Sequence, residues 1–304
     1  MIISMHPAFL FERYGIDEGF AMLKACGIGG IQFGMGAYVM PQKVIKDNLP
    51  SVMDGTVEEI IEFVRPYKEA ADKHGIAISQ VHAPFPMWMP DNPEMVERMK
   101  SVIQKSLAVT AYMESPHCVV HPAFVKDNTR AMNADAEWAL NKALYAALIS
   151  DLQKYDVQCL LENMFSQAPD GARFAAACAD FTEAARWIDE LNALAGEERF
   201  GFCFDTGHCH LARQNLYRGI LIVGPRIKAL HLQDNSGYFD QHLAPYMGTA
   251  DFEGVLNGLR EIGYRGDLNF ETGNVLGRFP PEVTEECLRL TSALGRYFMK
   301  RIAE

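Results

Sequence analysis

Short apolar runs alternate with longer amphipathic segments along the whole chain. The segment VEEIIEFVRPYKEAADKHG has apolar residues at three- and four-residue spacing and Gly75 just past its end, which predicts a helix with a glycine C-cap. Similar patterns occur in EMVERMKSVIQKSLAVTAYM, AEWALNKALYAALISDLQKY and PEVTEECLRLTSALGRYFMK. The apolar runs predict eight strands: IIS near Met1, GIQF ending at Phe33, IAISQVH ending at His82, HCVVH ending at His121, VQCLLEN with Glu162, FGFCFD with Asp205, KALHLQD with His231, and DLNFE ending at Glu271.

Strands that alternate with helices predict a parallel sheet covered by helices, and a count of eight favours closure into a (β/α)8 TIM barrel over an open sheet. The distances along the chain between successive strand ends each fit one βα unit. No Pro/Gly/Ser-rich linker, low-complexity tract or shift in composition marks a domain boundary. We therefore expect one α/β domain over residues 1–304.

Composition and charge limit the classes of binding partner that we expect. Hydrophobic residues make up 49% of the chain, and the formal net charge of -11 disfavours non-specific attraction to nucleic acid or an anionic membrane without excluding a local basic groove. The start MIISMHPAF is not a basic-plus-apolar leader, and no apolar run is long enough to span a bilayer. The seven cysteines include no CxxC pair and suit reduced thiols. We expect a cytoplasmic protein that does not associate with membranes.

Six consecutive strands end in a side chain that can bind a metal. In a barrel strand the last inward residue faces the C-terminal mouth, where such folds place their active sites. A histidine or carboxylate at one strand end is usually structural, but the whole set is harder to explain in that way. The residues are His82, His121, Glu162, Asp205, His231 and Glu271.

Three carboxylates at one barrel mouth are costly to desolvate unless a cation offsets their charge. The sequence therefore predicts a divalent metal held by Glu162, Asp205, His231 and Glu271. Oxygen-rich ligands with one imidazole suit Mn²⁺, Mg²⁺ or Co²⁺, whereas further imidazoles favour Zn²⁺ or Fe²⁺. Further candidates near this centre are His6, His208, His210, Asp234, Asp240 and His242, the last three in a polar segment that predicts a long loop over the mouth.

The ordered motifs VHAPF, ENM, DTGH, HLQDN followed by DQH, and ETGN cover nearly the whole chain and resemble landmarks of the xylose isomerase-like TIM barrel superfamily. That superfamily includes sugar-phosphate isomerases and epimerases, ketose epimerases, inosose dehydratases and nucleases of the endonuclease IV type. Resemblance to the ketose epimerase branch implies one divalent ion on Glu162, Asp205, His231 and Glu271, with Glu162 and Glu271 also acting as the acid/base pair. The same resemblance implies that His208 binds a substrate hydroxyl, and further candidates for binding the carbohydrate substrate are His82, His121 and His242.

Resemblance to the nuclease branch implies a larger set that holds three zinc ions. Its members are His82, His121, Glu162, Asp205, His208, His231, Asp240, His242 and Glu271. Against this branch, ENMF and HLQDNSG are more similar to the sugar enzymes, and FPMWMPDNPE lacks a basic-aromatic pattern for DNA. The absence of an arginine after His231 departs from the ketose epimerases, so a metal-dependent dehydratase stays an alternative.

The expected function is therefore that of a metal-dependent sugar or sugar-phosphate isomerase or epimerase, with an abasic-site nuclease as the alternative. We expect substrate specificity to lie in loops such as MGAYVMPQKV and FPMWMPDN. An exposed apolar loop like FPMWM is typical of a contact with a second copy of the chain or of a lid over the pocket.

Overall fold

Eight short strands, all parallel, form the inner wall of the molecule. The computed structural model describes residues 1–89, 91–123 and 134–304, so Pro90 of the FPMWMPDN segment lies outside the described residues. The strands of this sheet are β1 Ile3–Met5, β2 Gly30–Gly34, β3 Ala77–His82, β4 His117–Val119, β5 Gln158–Glu162, β8 Phe200–Asp205, β9 Ile227–His231 and β10 Leu268–Phe270.

The sheet closes into a barrel. Its strand order is β10-β1-β2-β3-β4-β5-β8-β9, and every neighbouring pair is parallel. Between the two ends of this order, Leu232 N donates to Asn269 O at 2.8 Å and Glu271 N donates to Leu232 O at 3.2 Å. The predicted (β/α)8 fold is therefore confirmed, with all eight predicted runs as strands.

Helices surround this barrel between successive strands. They are α1 Ala8–Tyr14, α2 Ile16–Ala25, α3 Met35–Tyr38, α4 Gln42–Lys46, α5 Val57–His74, α6 Pro93–Tyr112, α7 Ala134–Ala146, α8 Ile149–Tyr155, α9 Phe181–Ala195, α10 Thr206–Leu211, α11 Leu216–Val223, α12 Phe252–Glu261, α13 Gly273–Leu276 and α14 Thr284–Ala303. Gly75 ends α5 with φ 63, which confirms the predicted C-cap. None of the helices in the described ranges is long and apolar enough to cross a membrane.

The interior of the barrel has two halves of different polarity beneath the strand ends. One half is apolar and buried, with Val119, Leu160, Cys203 and Ala229. The other half holds the buried polar side chains of Ser4, Gln32, Gln80 and Asn269. Strand register places Ser4 beside Asn269 and Gln32 beside Gln80.

Three details differ from the pattern-based expectation. A two-stranded antiparallel hairpin, β6 Phe165–Gln167 with β7 Arg173–Ala175, follows β5 and was not predicted, because three-residue strands carry too little alternation to be recognised. The predicted helix AEWALNKALYAALISDLQKY is divided into α7 and α8. The segment MGAYVMPQKV is not a simple loop, since it contains α3 and most of α4.

Candidate active site

The side chains at the strand ends converge at the C-terminal mouth of the barrel, because the carboxyl ends of parallel strands meet on one face. Glu162, Asp205 and His231 close their strands and are at most 1% exposed. His121 lies two residues beyond β4 and Glu271 one residue beyond β10, so these two strands are shorter than expected although both side chains still reach the mouth.

Glu162 lies at the centre of the cluster and faces histidines with both carboxylate oxygens. Its Oε2 is 3.1 Å from His121 Nε2 and 3.5 Å from His82 Nε2. Its Oε1 is 3.1 Å from His208 Nδ1 and 3.3 Å from His231 Nδ1. One carboxylate therefore joins two groups of imidazoles.

His231 joins the remaining carboxylates of the strand ends. Its Nδ1 lies 3.7 Å from Asp205 Oδ2 and 3.7 Å from Glu271 Oε1. Single ligand atoms of Asp205, His231 and Glu271 lie within 4.8 Å of one another, a spacing at which they could hold one ion. The same spacing holds for the group of Glu162, Asp205 and His208.

The loop between β9 and α12 adds a third group at the edge of the cluster. Asp240 Oδ2 is 3.2 Å from His242 Nε2 and 3.7 Å from His208 Nε2. His242 Nδ1 lies 2.8 Å from the backbone oxygen of Glu271, which fixes the ring against β10. The predicted loop over the mouth thus contributes Asp240 and His242 to the cluster.

Two other candidates serve the framework of this loop. Asp234 is fully buried and accepts hydrogen bonds from the backbone N–H groups of Asn235, Gly248 and Ala250 at 2.8 to 3.0 Å. His210 Nε2 lies 2.9 Å from Thr249 Oγ1. The hydrogen bonds of both side chains are therefore made to this loop and not to the carboxylate cluster.

His6 lines the pocket above the cluster, as the sequence suggested. It fits there because Gly34 has no side chain: a Cβ at Gly34 would lie 2.6 Å from His6 Nε2. Burial lowers the pKa of His6 to about 4, so this ring is neutral near pH 7.

Three amide side chains that the strand-end pattern missed hold the carboxylates in place. Gln32 Nε2 donates to Glu271 Oε1 at 2.7 Å. Gln233 Nε2 lies 3.3 Å from both oxygens of Asp205 and 3.2 Å from Asp240 Oδ1. Asn163 Oδ1 accepts from the backbone N–H of Asp205 at 2.9 Å. Amide side chains at inward positions of otherwise apolar strands were the available signal for Gln32.

The pKa values of the cluster carboxyl groups shift in different directions. Burial works against ionisation of Glu162, but His231 and His121 outweigh it and hold the pKa of this carboxyl well below its usual range. Burial raises the pKa of Asp205 to about 6. For Glu271 burial is again outweighed, chiefly by His231, and its pKa falls to about 2. The cluster therefore contains carboxylates that stay charged only beside positive partners.

The positive partners in this structure are imidazoles. Burial opposes protonation of His208 and His242, but nearby carboxylates outweigh it: Asp205 is the main one for His208, whose pKa is raised well above its usual value, and Asp240 raises the pKa of His242 to about 9. Within the described part of the chain, no lysine or arginine forms an ion pair with the cluster carboxylates. A bound cation would replace protons as the balancing charge.

The donor set fits a divalent metal ion. Both ring nitrogens of His231 and Oε2 of Glu162 are buried and make no hydrogen bond of suitable geometry, although Glu162 Oε2 lies near His121 and His231 Nδ1 lies near Glu162 Oε1. Buried polar atoms are rarely left in this state, and a cation bound by them would satisfy them. Carboxylates with several imidazoles suit Zn²⁺, Co²⁺ or Mn²⁺.

A pocket of about 1240 Å³ opens above the cluster. Phe85 packs against His121 on one side, with 4.4 Å between ring centroids, and Phe165 of the hairpin packs against His208 on the other, at 5.2 Å. The FPMWM segment lines this pocket and is only partly exposed, since Pro86 is exposed, Phe85, Trp88 and Met89 are half-buried, and Met87 is 4% exposed. Met87 belongs to the buried hydrophobic core, and Trp88 and Met89 pack against that core.

Comparison with curated proteins finds relatives of different kinds. The uncharacterized protein MJ1311 of Methanocaldococcus jannaschii is 26% identical over 250 residues, covering 77% of this chain and 78% of that protein. "Probable endonuclease 4" of Lysinibacillus sphaericus is 31% identical over 175 residues, 54% of each chain. The uncharacterized protein y4fM of Sinorhizobium fredii is 22% identical over 171 residues, covering 56% of this chain and 51% of y4fM. The chain thus spans about half the length of y4fM and of the endonuclease.

Solved structures with the same fold include sugar epimerases. A D-tagatose 3-epimerase-like protein superposes with a TM-score of 0.69 at 18% identity, covering 98% of this chain and 100% of that one. The IolI protein with a bound zinc atom gives 0.69 at 15% identity, covering 99% and 98%. The family model described as xylose isomerase-like TIM barrel matches residues 20–293. Because this match spans most of the chain, the protein belongs to the xylose isomerase-like TIM barrel family.

Proposed function

We propose that the protein is a divalent-metal-dependent isomerase or epimerase of a sugar or sugar derivative. The observation that carries this proposal is the placement of two glutamates, Glu162 and Glu271, which both face His231 Nδ1 at the floor of a deep pocket. Reversible removal of a proton from carbon needs an acid and a base on one reacting centre, out of contact with bulk water.

The residues that would hold the ion are Glu162, Asp205, His231 and Glu271. When bound there, a divalent ion supplies polarisation of a carbonyl and an adjacent hydroxyl, which lowers the cost of removing the neighbouring carbon-bound proton. The side chains of His82, His121, His208, Asp240 and His242 are candidates for substrate contacts or for further metal binding.

Glu271 is the better placed of the two glutamates to exchange a proton with substrate. Its side chain is 15% exposed to the pocket, whereas that of Glu162 is 1% exposed. Gln32 holds one oxygen of Glu271, and the second lies 3.5 Å from His242 Nδ1. In the proposed reaction Glu271 takes the proton from carbon, and Glu162 or Glu271 returns it to the same or the adjacent carbon.

The character of the pocket supports a small-molecule substrate. Lys46 is the one lysine or arginine among the described residues that line it, and the chain as a whole carries a net charge of -11. Contacts to many phosphates of a DNA strand depend on several cationic side chains. A sugar fits the polar floor and the aromatic sides without them.

A second candidate is hydrolysis of a phosphodiester. The observation in its favour is the completeness of the larger ligand set, in which His208, Asp240 and His242 form a further group beside Glu162. The relationship to "Probable endonuclease 4", at 31% identity over half of each chain, supports the same candidate. Several ions held close together would suit an in-line displacement at phosphorus.

Metal analysis combined with two assays separates the candidates. The purified protein is assayed for bound Mn, Co, Fe and Zn, then with a panel of ketoses, aldoses, inososes and sugar phosphates, and in parallel with DNA that contains an abasic site. The proposal expects interconversion of two sugars and no nicking. Three zinc ions with nicking would establish the phosphodiesterase, and loss of water from an inosose would establish a lyase.

A further inference from the structure

The pocket has two parts with different chemistry. Its floor is the cluster of histidines and carboxylates, and its outer wall is formed by Ile45 and the segment of residues 85–89. The volume of about 1240 Å³ exceeds the roughly 300–1,000 Å³ of ordinary ligand pockets. A single sugar ring at the floor would leave the outer part of this volume free.

The apolar wall is continuous with the floor. The Phe85 ring lies 4.4 Å from the His121 ring and 5.7 Å from the His82 ring, measured between centroids. From Phe85 the wall continues through Met87 to Trp88 and Met89, which are half-buried and face the same pocket. The wall beside the cluster therefore presents aromatic and thioether surface.

The outer part offers little for an anionic group. Lys46 is exposed on α4, and the acidic Asp91 lines the same pocket. Phosphate and carboxylate groups are typically bound by paired guanidinium groups or by several backbone N–H donors. Within the described residues, the lining contains no arginine. This composition favours an uncharged apolar group over a phosphate.

We propose that the wall formed by Ile45, Phe85, Met87, Trp88 and Met89 binds an apolar, preferably aromatic, substituent carried by the sugar. This inference rests on the proposed function and specifies its preferred substrates as sugars that bear an apolar group, which should bind more tightly than free or phosphorylated sugars. Trp88 and Phe85 would pack against the substituent while the sugar hydroxyls face the cluster.

Isothermal titration of the wild-type protein with glycosides tests this inference. Methyl and 4-nitrophenyl glycosides of the same sugar are compared for glucose, galactose, mannose and xylose, with glucose 6-phosphate and free 4-nitrophenol alongside. Glycosides lack a free carbonyl, so they bind without isomerisation and the result is independent of turnover. We expect the 4-nitrophenyl glycoside of at least one sugar to bind about tenfold more tightly than its methyl counterpart.

Two variants test whether the apolar wall causes the preference for the 4-nitrophenyl glycoside. Trp88→Ala should reduce the ratio of the two affinities at least fivefold, whereas Met247→Ala, at an exposed methionine outside the pocket lining, should leave it unchanged. Equal binding of both glycosides, failure of both to bind, tighter binding of glucose 6-phosphate or free 4-nitrophenol, or a preference that survives Trp88→Ala would each overturn the inference. Sugar interconversion without this preference would leave the proposed function standing.

Discussion

Gln32 Nε2 donates a hydrogen bond of 2.7 Å to Glu271 Oε1, from the interior of the barrel to its mouth. Gln32 Oε1 accepts in turn from Asn269 Nδ2 at 2.6 Å and from Gln80 Nε2 at 3.1 Å. Ser4 Oγ donates to Asn269 Oδ1 at 3.2 Å. A chain of buried hydrogen bonds thus leads from Ser4 through Asn269 and Gln32 to the carboxylate of Glu271. In such networks each hydrogen bond polarises the next and holds the side chains in fixed positions.

Replacing Gln32 with leucine should therefore damage both stability and activity. The change removes the donor to Glu271 and leaves the amides of Asn269 and Gln80 without their common acceptor, and each buried unsatisfied group costs about 1–3 kcal/mol. Urea unfolding of Gln32→Leu should show this loss, and its turnover should fall. The matched control is Gln214→Leu at an exposed position. If the free energy of unfolding of Gln32→Leu equals that of the wild type, the hydrogen-bond network does not stabilise the fold.

Gln233→Met should weaken metal binding without unfolding the protein. Gln233 is buried and contacts Asp205 and Asp240, so the variant loses the amide that joins the strand-end group to the loop group. Loss of a residue that orients metal ligands typically lowers affinity about 10–100-fold. Competition with a chelator measures this affinity. Gln241 lies in the same loop, but its side chain accepts a hydrogen bond from Ser236 N, so Gln241→Met should bind metal as tightly as wild type. Wild-type metal affinity in Gln233→Met as well would show that Gln233 does not orient the metal ligands.

Two buried aspartates should respond differently to conversion to asparagine. Asp205→Asn removes a charge from the cluster and should abolish or strongly reduce metal binding. Asp234→Asn leaves the cluster intact but loses one acceptor for the backbone N–H groups of the β9–α12 loop, so it should retain metal and lose about 1–3 kcal/mol of stability. Metal analysis and thermal unfolding of both variants check this. Loss of metal in Asp234→Asn would place this residue among the ligands instead.

Removal of metal should lower thermal stability. A ligand that binds only the folded state stabilises it by about 2.7 kcal/mol at a free concentration about a hundred times its dissociation constant. Calorimetry should therefore show a lower midpoint after chelation and recovery with Zn²⁺, Co²⁺ or Mn²⁺. His231→Ala should lose this response, whereas His74→Ala should keep it, because His74 bonds Asp17 on the outer surface. An unfolding midpoint that does not depend on metal would contradict the proposal that these carboxylates and imidazoles bind a divalent ion.

Much of the site could be predicted from the sequence, because residues at the C-terminal ends of successive strands meet at one end of a closed barrel. Once the eight strands were recognised, the positions of Glu162, Asp205 and His231 at the strand ends required them to meet. Asp240 and His242 were candidates because their loop follows a strand. The fold and the family are confirmed, whereas the extent of one domain over residues 1–304, the oligomeric contact and the cytoplasmic location stay predictions.

Other parts depended on tertiary contacts that no periodicity encodes. Gln32 is separated from Glu271 by nearly the whole chain, and only closure of β10 onto β1 brings the two together. Asp234 has the same chemistry as Asp240, yet the N–H groups of Gly248 and Ala250 fold around it and leave Asp240 to the cluster. The inward position of Met87 likewise reflects tertiary packing, because this side chain is buried in the hydrophobic core.

Incorporation of solvent deuterium at carbon would reveal directly whether Glu162 and Glu271 exchange a proton with a sugar. Wild-type protein loaded with metal is incubated in D₂O with the sugar found in the panel, and wash-in is followed by NMR for the wild type, Glu162→Gln, Glu271→Gln and the exposed control Glu69→Gln. We expect deuterium at one carbon beside the carbonyl with the wild type and the control, and a rate of incorporation at least about 10²-fold lower in both cluster variants. Wild-type wash-in by either cluster variant would contradict this expectation.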